Sequence, residues 1–217
     1  MDITNLIESK IFNRQKEPPR KYIGASSIGN PCNRAIWYDY HGTPNAGYGI
    51  ATQIAFDVGK RLEGLILEYL RDAGLKIQTD ELMLSCEDDL VSEFKGHIDA
   101  LWWRSDIDPV IIEIKTAKSS SFNRFVNSGL REWAEQYYAQ IQSYMGMMSI
   151  QSAVLLALNK DSSELHHEWV EFDADYYSEL RAKAFAISTV EEAPPKINKS
   201  PLFFRCRMCK FKDVCHV

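Results

Sequence analysis

One stretch, GHIDALWWRSDIDPVIIEIKTAK (96–118), limits what this chain can fold into more than any other. Two apolar-rich runs, FKGHIDALWW (94–103) and PVIIEIKT (109–116), flank the polar turn RSDID. That layout predicts two antiparallel strands. Side chains alternate between the faces of a strand. Glu113 and Lys115 therefore share one face, while Ile112 and Ile114 bury the other. A turn centred near Asp106 sets Asp99 opposite Glu113. Directly opposed residues hold their Cβ atoms about 4.5–5.5 Å apart. Two carboxylates that close repel each other, and a hard, oxygen-seeking divalent cation such as Mg²⁺ removes the conflict. Water on such an ion has a lowered pKa and attacks phosphodiesters. Lys115 projects beside the pair, where an ammonium can orient that water or hold the scissile phosphate. Asp108-Pro109 sits in the turn and is set aside.

The flanking segments predict an α/β chain. A short helix is expected over 2–14, stopped before Pro18-Pro19. SSIGNPCNRAIWYDYHG (26–42) reads as a polar turn and a short helix with Cys32 near its start. DVGKRLEGLILEYLRDAG (57–74) reads as a helix capped by Asp57 and ended by Gly74. Its apolar stripe is Val58, Leu62, Leu65, Ile66, Tyr69 and Leu70. A second long helix is expected over 131–148, and a final one over 174–193, released by Pro194-Pro195. AVLLALN (153–159) suits a buried central strand, and HEWVEFD (167–173) alternates like a strand. The sum is one mixed β-sheet flanked by helices. The 217 residues read as a single domain, with an N-terminal helical region to 56, a core over 57–172 and a C-terminal helix and tail over 173–217.

Other side chains border the carboxylate pair. Glu63 lies about 60° round the helical wheel from Ile66, one turn after Gly59, whose lack of a side chain leaves space for a ligand or a backbone. Gln140 and Tyr144 are four apart and share a helix face. Ser119, Ser120, Ser121 and Arg124 follow the catalytic strand and suit phosphate contact. Trp102, Trp103 and Trp133 read as core rather than as base-stacking platforms, and His97 as a packed or exposed residue.

The chain closes with FFRCRMCKFKDVCHV, in which Cys206, Cys209 and Cys215 form a C-x2-C-x5-C array. Zinc and iron–sulfur sites take four protein ligands. Five cysteines are odd in number and too few for a disulfide-stapled secreted scaffold. No apolar leader opens the chain, and no apolar run approaches the roughly 18 residues of a membrane span. These features predict a cytoplasmic, reducing environment. The net charge of −5 is uneven. Residues 80–93 are acidic, whereas 10–21 hold five Lys/Arg and 196–212 hold six. The basic segments suit phosphate. No G-x4-GK[ST] motif is present, so no ATPase is expected.

In order along the chain, Gly59-x3-Glu63, Gly96-x2-Asp99, Glu113-x-Lys115 and Gln140-x3-Tyr144 resemble the RecB-like nucleases, a branch of the PD-(D/E)XK superfamily. The resemblance implies a restriction-endonuclease-like core and metal-dependent cleavage of DNA. It makes Glu63, Asp99 and Glu113 ligands of Mg²⁺ or Mn²⁺, assisted by the Ile114 carbonyl, and Lys115 the catalytic lysine, with Gln140 and Tyr144 beside it. It extends to an iron–sulfur subset that includes the CRISPR-associated RecB-like exonucleases, their phage relatives and bacterial helicase–nucleases. There one cysteine precedes the nuclease motifs and three follow. Cys32 is then the fourth ligand of a 4Fe–4S cluster with Cys206, Cys209 and Cys215, and the basic tail is fastened to the N-terminal region. A four-cysteine zinc site is the alternative, with His216 as a substitute ligand; Cys86 falls outside the spacing. The implied activity is an exonuclease on single-stranded DNA or free ends, in recombination, repair or end processing, in a prokaryotic or phage-infected cell. Its implied partners are a helicase, an annealing protein or a CRISPR integrase. The rivals are an endonuclease or flap- or spacer-processing enzyme of the same fold, and a catalytically dead, cluster-bearing DNA-binding subunit.

Overall fold

The computed structural model describes residues 2–14, 21–45, 47–79 and 85–216. The expected stop at Pro18-Pro19, half of the basic segment 10–21 (residues 15–20) and the start of the acidic segment 80–93 lie outside the described residues. Among the described residues the strands are β1 (Ile23–Gly24), β2 (Ile77–Gln78), β3 (Ser85–Glu87), β4 (Phe94–His97), β5 (Ala100–Ser105), β6 (Asp108–Ala117), β7 (Ser152–Asn159) and β8 (Leu165–Glu171). The helices are α1 (Ile3–Arg14), α2 (Ala25–Ile28), α3 (Asn33–Tyr40), α4 (Ile50–Asp72), α5 (Ser119–Trp133), α6 (Glu135–Met148), α7 (Ala174–Thr189), α8 (Phe204–Arg207) and α9 (Lys212–Cys215).

The central hairpin forms in the expected register. Ala100 pairs with Ile112, Leu101 with Ile111 and Trp102 with Val110, around a turn at Asp106–Ile107. The expected strand over 94–103 divides, however. Its first half, β4, belongs to a separate three-stranded sheet, ordered β1-β4-β3. The ladder of β5 stops at Ala100, and the Asp99 carboxylate takes over from the strand by accepting the Ile114 N–H at 2.8 Å. A short polar side chain that bonds to nearby backbone competes with the ladder. The chain therefore builds two sheets where one was expected.

The main sheet is mixed, in the order β2-β5-β6-β7-β8, with β6 and β7 parallel and the other pairs antiparallel. A parallel pair needs a long crossover, and α5 and α6 supply it. The short apolar run of β7 lies inside the sheet, as expected. Ile112 and Ile114 face α4, where they pack with Ile66 and Leu67. Ile111 and Leu155 join the larger core with Ile141, Tyr144 and Met145 of α6. The sheet is thus flanked by helices.

Three local expectations are corrected. Helix α4 begins at Ile50, so Asp57 is interior and accepts a bond from Gln53 Nε2 at 3.2 Å rather than capping the helix. Its buried stripe is rotated: Ile66 and Leu67 are buried, whereas Val58, Leu65 and Tyr69 are exposed. The end is as expected, since Gly74 has φ +87° and Leu75 N–H bonds back to the Leu70 carbonyl. Residues 119–133 form a helix of their own, kinked at Gly129 (φ 76°). Ser119, Ser121 and Arg124 are engaged within the fold. Ser119 N–H donates to Asp161 Oδ2, Ser121 Oγ accepts from Trp133 Nε1, and Arg124 reaches the Glu132 and Trp133 carbonyls.

After α7 the tail runs back along α3. Trp37 Nε1 donates to the Val190 carbonyl at 3.0 Å, and Arg34 Nη1 to the Pro194 carbonyl at 2.9 Å. Phe211 is buried against Ala35 and Tyr38. Lys210 meets Asp39 at 2.5 Å. The expected packing of the cysteine tail against the N-terminal region is borne out. Among the described residues no helix is long and apolar enough to cross a membrane.

Candidate active site and cysteine cavity

The break between β4 and β5 places Asp99 just before the start of β5, alongside Glu113 and Ile114 of β6. Glu113 is 1% exposed. Its Oε1 accepts from Lys115 Nζ at 2.5 Å and from Gln140 Nε2 at 2.9 Å. Gln140 Nε2 also reaches Tyr144 Oη at 2.7 Å. The other carboxylate oxygen, Oε2, is buried and has no hydrogen-bond partner. Unpaired buried acceptors are costly, so this oxygen is poised for a ligand that carries positive charge. Glu63, on α4, bonds to Lys60 Nζ at 2.6 Å, and its charge reaches both Asp99 and Glu113.

The electrostatics follow from crowding three acids around one ammonium. Burial, and then the neighbouring Glu113 charge, hold Asp99 well above the usual carboxylate range. Burial pushes Glu113 up, although Lys115 pulls it back. Burial works against the Lys115 ammonium, but Glu113 and Asp99 outweigh it and keep its pKa above the ordinary value. Tyr144 is held well above its ordinary value by burial and by Glu113.

The structure thus brings Asp99, Glu113, Lys115, Gln140 and Tyr144 together, with Glu63 within electrostatic reach. The Ile114 N–H serves Asp99. One supporting residue escaped the sequence reading, and another entered it only as the glycine of Gly96-x2-Asp99. The Tyr137 ring lies 4.8 Å from Lys115 Nζ, a cation–π contact; the signal was its place one turn before Gln140. Gly96 lies under Tyr144, and a Cβ there would come within 2.4 Å of the ring. The space expected beneath Gly59 is taken by Thr116, whose Oγ1 would sit 3.4 Å from a Cβ at that glycine. His97 is exposed.

The second site is a cleft of about 1550 Å³ whose walls include Cys32, Cys206, Cys209, Cys215 and His216. All four thiols are free. Burial raises the Cys206 and Cys209 pKa values, and charges on Cys32 and Cys215 raise them further, so the four interact. Cys32 precedes α3, and its N–H donates to Asn30 Oδ1 at 2.9 Å. Lys183 Nζ clamps the same loop through the carbonyls of Ile28 and Asn30, at 2.6 and 2.8 Å. Cys86 lies apart on β3, paired with Gly96, and burial lifts its pKa to about 12. Among the described residues, no group of three or more His, Cys, Asp or Glu side chains is drawn together tightly enough to hold a metal ion. At the acidic site each free carboxylate is held by a lysine instead, Glu63 by Lys60 and Glu113 by Lys115.

No protein-family model and no curated protein matches the sequence. Solved structures do match the fold. The chain is similar to an alkaline exonuclease, LHK-Exo, from Laribacter hongkongensis, with TM-score 0.59 and 14% identity over 83% of this chain and 90% of that one. It is similar to SSO0001, with TM-score 0.63 and 17% identity over 99% of this chain and 96% of that one. It is also similar to a phage-related exonuclease from Haemophilus somnus 129PT, with TM-score 0.51 and 14% identity over 76% of this chain and 91% of that one. The likeness to these structures is one of fold, a central mixed sheet flanked by helices.

Proposed function

We propose that this chain is a divalent-metal-dependent DNA exonuclease of the RecB-like PD-(D/E)XK kind. The observation that carries the reading is the buried, unpartnered Oε2 of Glu113 beside Asp99 and Lys115. Such an oxygen fits a cation. Glu63, Asp99, Glu113 and the Ile114 carbonyl would hold Mg²⁺ or Mn²⁺. When bound, that ion supplies Lewis-acid charge and a water of lowered pKa. Lys115 stays protonated and offers its ammonium to a phosphate oxygen. Gln140 fixes Glu113 Oε1 and Tyr144, so the carboxylate keeps its aim. Tyr144 stays neutral and presents a hydroxyl.

The substrate in this reading is single-stranded DNA entered from an end, in recombination, repair or end processing. Similarity to two exonucleases supports attack on DNA from an end, and LHK-Exo has also been solved in complex with dAMP; the preference for single strands comes from the sequence resemblance alone. Cys32, Cys206, Cys209 and Cys215 would hold a 4Fe–4S cluster that braces the two ends of the fold. The donor chemistry supports it, since four free thiols line one cleft, although among the described residues the side chains are not gathered as a ligand set. Zinc accepts the same thiolates, and metal analysis decides between them.

The test is a digest of 5′-labelled, 3′-labelled and circular single strands with Mg²⁺ or Mn²⁺, using anaerobically purified protein. The linear strands should disappear and the circle persist. Lys115→Ala and Glu113→Gln should each lower the rate at least about 100-fold, as expected for groups that stabilise transition-state charge. Equal digestion by wild type and Lys115→Ala would remove the lysine from the mechanism. Loss of the circle would make the enzyme an endonuclease.

A further inference from the structure

His216 follows Cys215 directly and lines the cleft that holds the four thiols. Its Nε2 is buried and has no hydrogen-bond partner. Among the described residues, Glu113 Oε2 is the other side-chain polar atom left in that condition. Buried polar atoms are nearly always paired, and leaving one unpaired costs about 1–3 kcal/mol. The ring is placed by the same turn that places Cys215, since the His216 N–H bonds back to the Lys212 carbonyl at 3.1 Å.

Four thiolates already complete the ligand set of zinc or of a cubane cluster, so a fifth ligand is superfluous. Four thiolates also outnumber the positive charge they surround, and their sulfurs accept hydrogen bonds. Such bonds set the basicity of the sulfurs and the reduction potential of a cluster. Two of the lysines near the cysteine loop and tail already have partners. Lys183 serves the Ile28 and Asn30 carbonyls, and Lys210 serves Asp39.

Building on the cysteine-held metal of the reading above, we propose that His216 is a positioning residue that donates its Nε2–H to the sulfurs of that group and tunes it without ligating the metal.

Three proteins, purified anaerobically as full chains, test this: wild type, His216→Phe and His216→Gln. Phenylalanine fills the space of the ring without an N–H, and glutamine restores an N–H near the position of Nε2. Iron, sulfide and zinc content should be the same in all three, and so should the thermal midpoint of His216→Gln and wild type. With iron bound, the midpoint potential of His216→Phe should fall below that of wild type, and its visible absorbance should bleach faster in air. His216→Gln should recover part of both differences. With zinc bound, His216→Phe should release it faster to a chelator, again with partial recovery in His216→Gln. Potentials or release rates equal to wild type in His216→Phe would overturn the proposal. So would loss of metal from His216→Phe that glutamine fails to restore, because His216 would then be a ligand. A wild-type protein free of iron and zinc would instead remove the cysteine site itself.

Discussion

At the scale of single residues, the acidic site stores unfavourable charge. Asp99 has a folded-state pKa well above its unfolded value. It therefore keeps its proton in the folded protein over a pH range in which the unfolded chain has released it. Its contribution to stability is present below the ordinary carboxylate pKa and is lost as pH rises toward the raised value. Glu113 works in the same direction. In excess chelator, the thermal midpoint of the wild type should fall as pH climbs from the carboxylate range toward neutral. Asp99→Asn keeps an oxygen for the Ile114 N–H, removes the charge and should flatten that fall. At neutral pH in chelator it should be more stable than wild type, because the uncharged amide removes the buried charge that burial and Glu113 disfavour, and it should lose metal-dependent cleavage. Identical pH profiles for the two proteins would sink this account. Asp88 shows the opposite sign. Burial raises its pKa, but Tyr177, Arg181 and the N–H groups of Leu90 and Val91 together bring it below the usual value. The stability it contributes is lost at the acid end instead.

At the scale of elements, the hairpin was legible because a turn centre and a period of two fix every partner. The register Ala100↔Ile112 is the one that a turn at Asp106 dictates. The split between β4 and β5 was not legible. Nothing in the alternation of FKGHIDALWW announces that Asp99 will bond the Ile114 backbone and let the chain cross to another sheet. Helix α5 was hidden by its opening run of serines, and the start of α4 by the β-branched residues of the IATQI stretch, which is helical. The rotation of the α4 stripe has the same root. Leu65 and Leu67 look alike as letters, and only the packing against Ile112 and Ile114 chooses between them. That choice is measurable. Leu67→Ala should cost about 2–4 kcal/mol, as buried leucines do, whereas Leu65→Ala should stay within roughly 0.5 kcal/mol. Equal losses in denaturant titrations would mean that the helix is turned the other way. The Gln140–Tyr144 pair was readable from its spacing of four, but the need for Gly96 under the Tyr144 ring was not, because it arises between strand β4 and helix α6.

At the scale of the whole molecule, the tail is joined to α3 by contacts other than thiols. Phe211 lies 2% exposed against Ala35 and Tyr38, and Arg34 and Trp37 hold the backbone between Val190 and Pro194. Removing the ring should therefore matter more than removing the charge. Phe211→Ala should cost about 3–5 kcal/mol and lower the iron or zinc retained by the proposed cysteine site. Lys210→Ala should cost less than about 1 kcal/mol, because the Lys210–Asp39 pair is partly open to water. Comparable losses for the two variants would shift the weight of this seam from packing to charge. The same seam sets a timetable for the newborn chain. Tyr38 leaves the ribosome long before the phenylalanine that will cover it. At about 5–20 residues per second, the interval is roughly 10–35 s, during which an apolar notch on α3 stands open to chaperones and to other nascent chains.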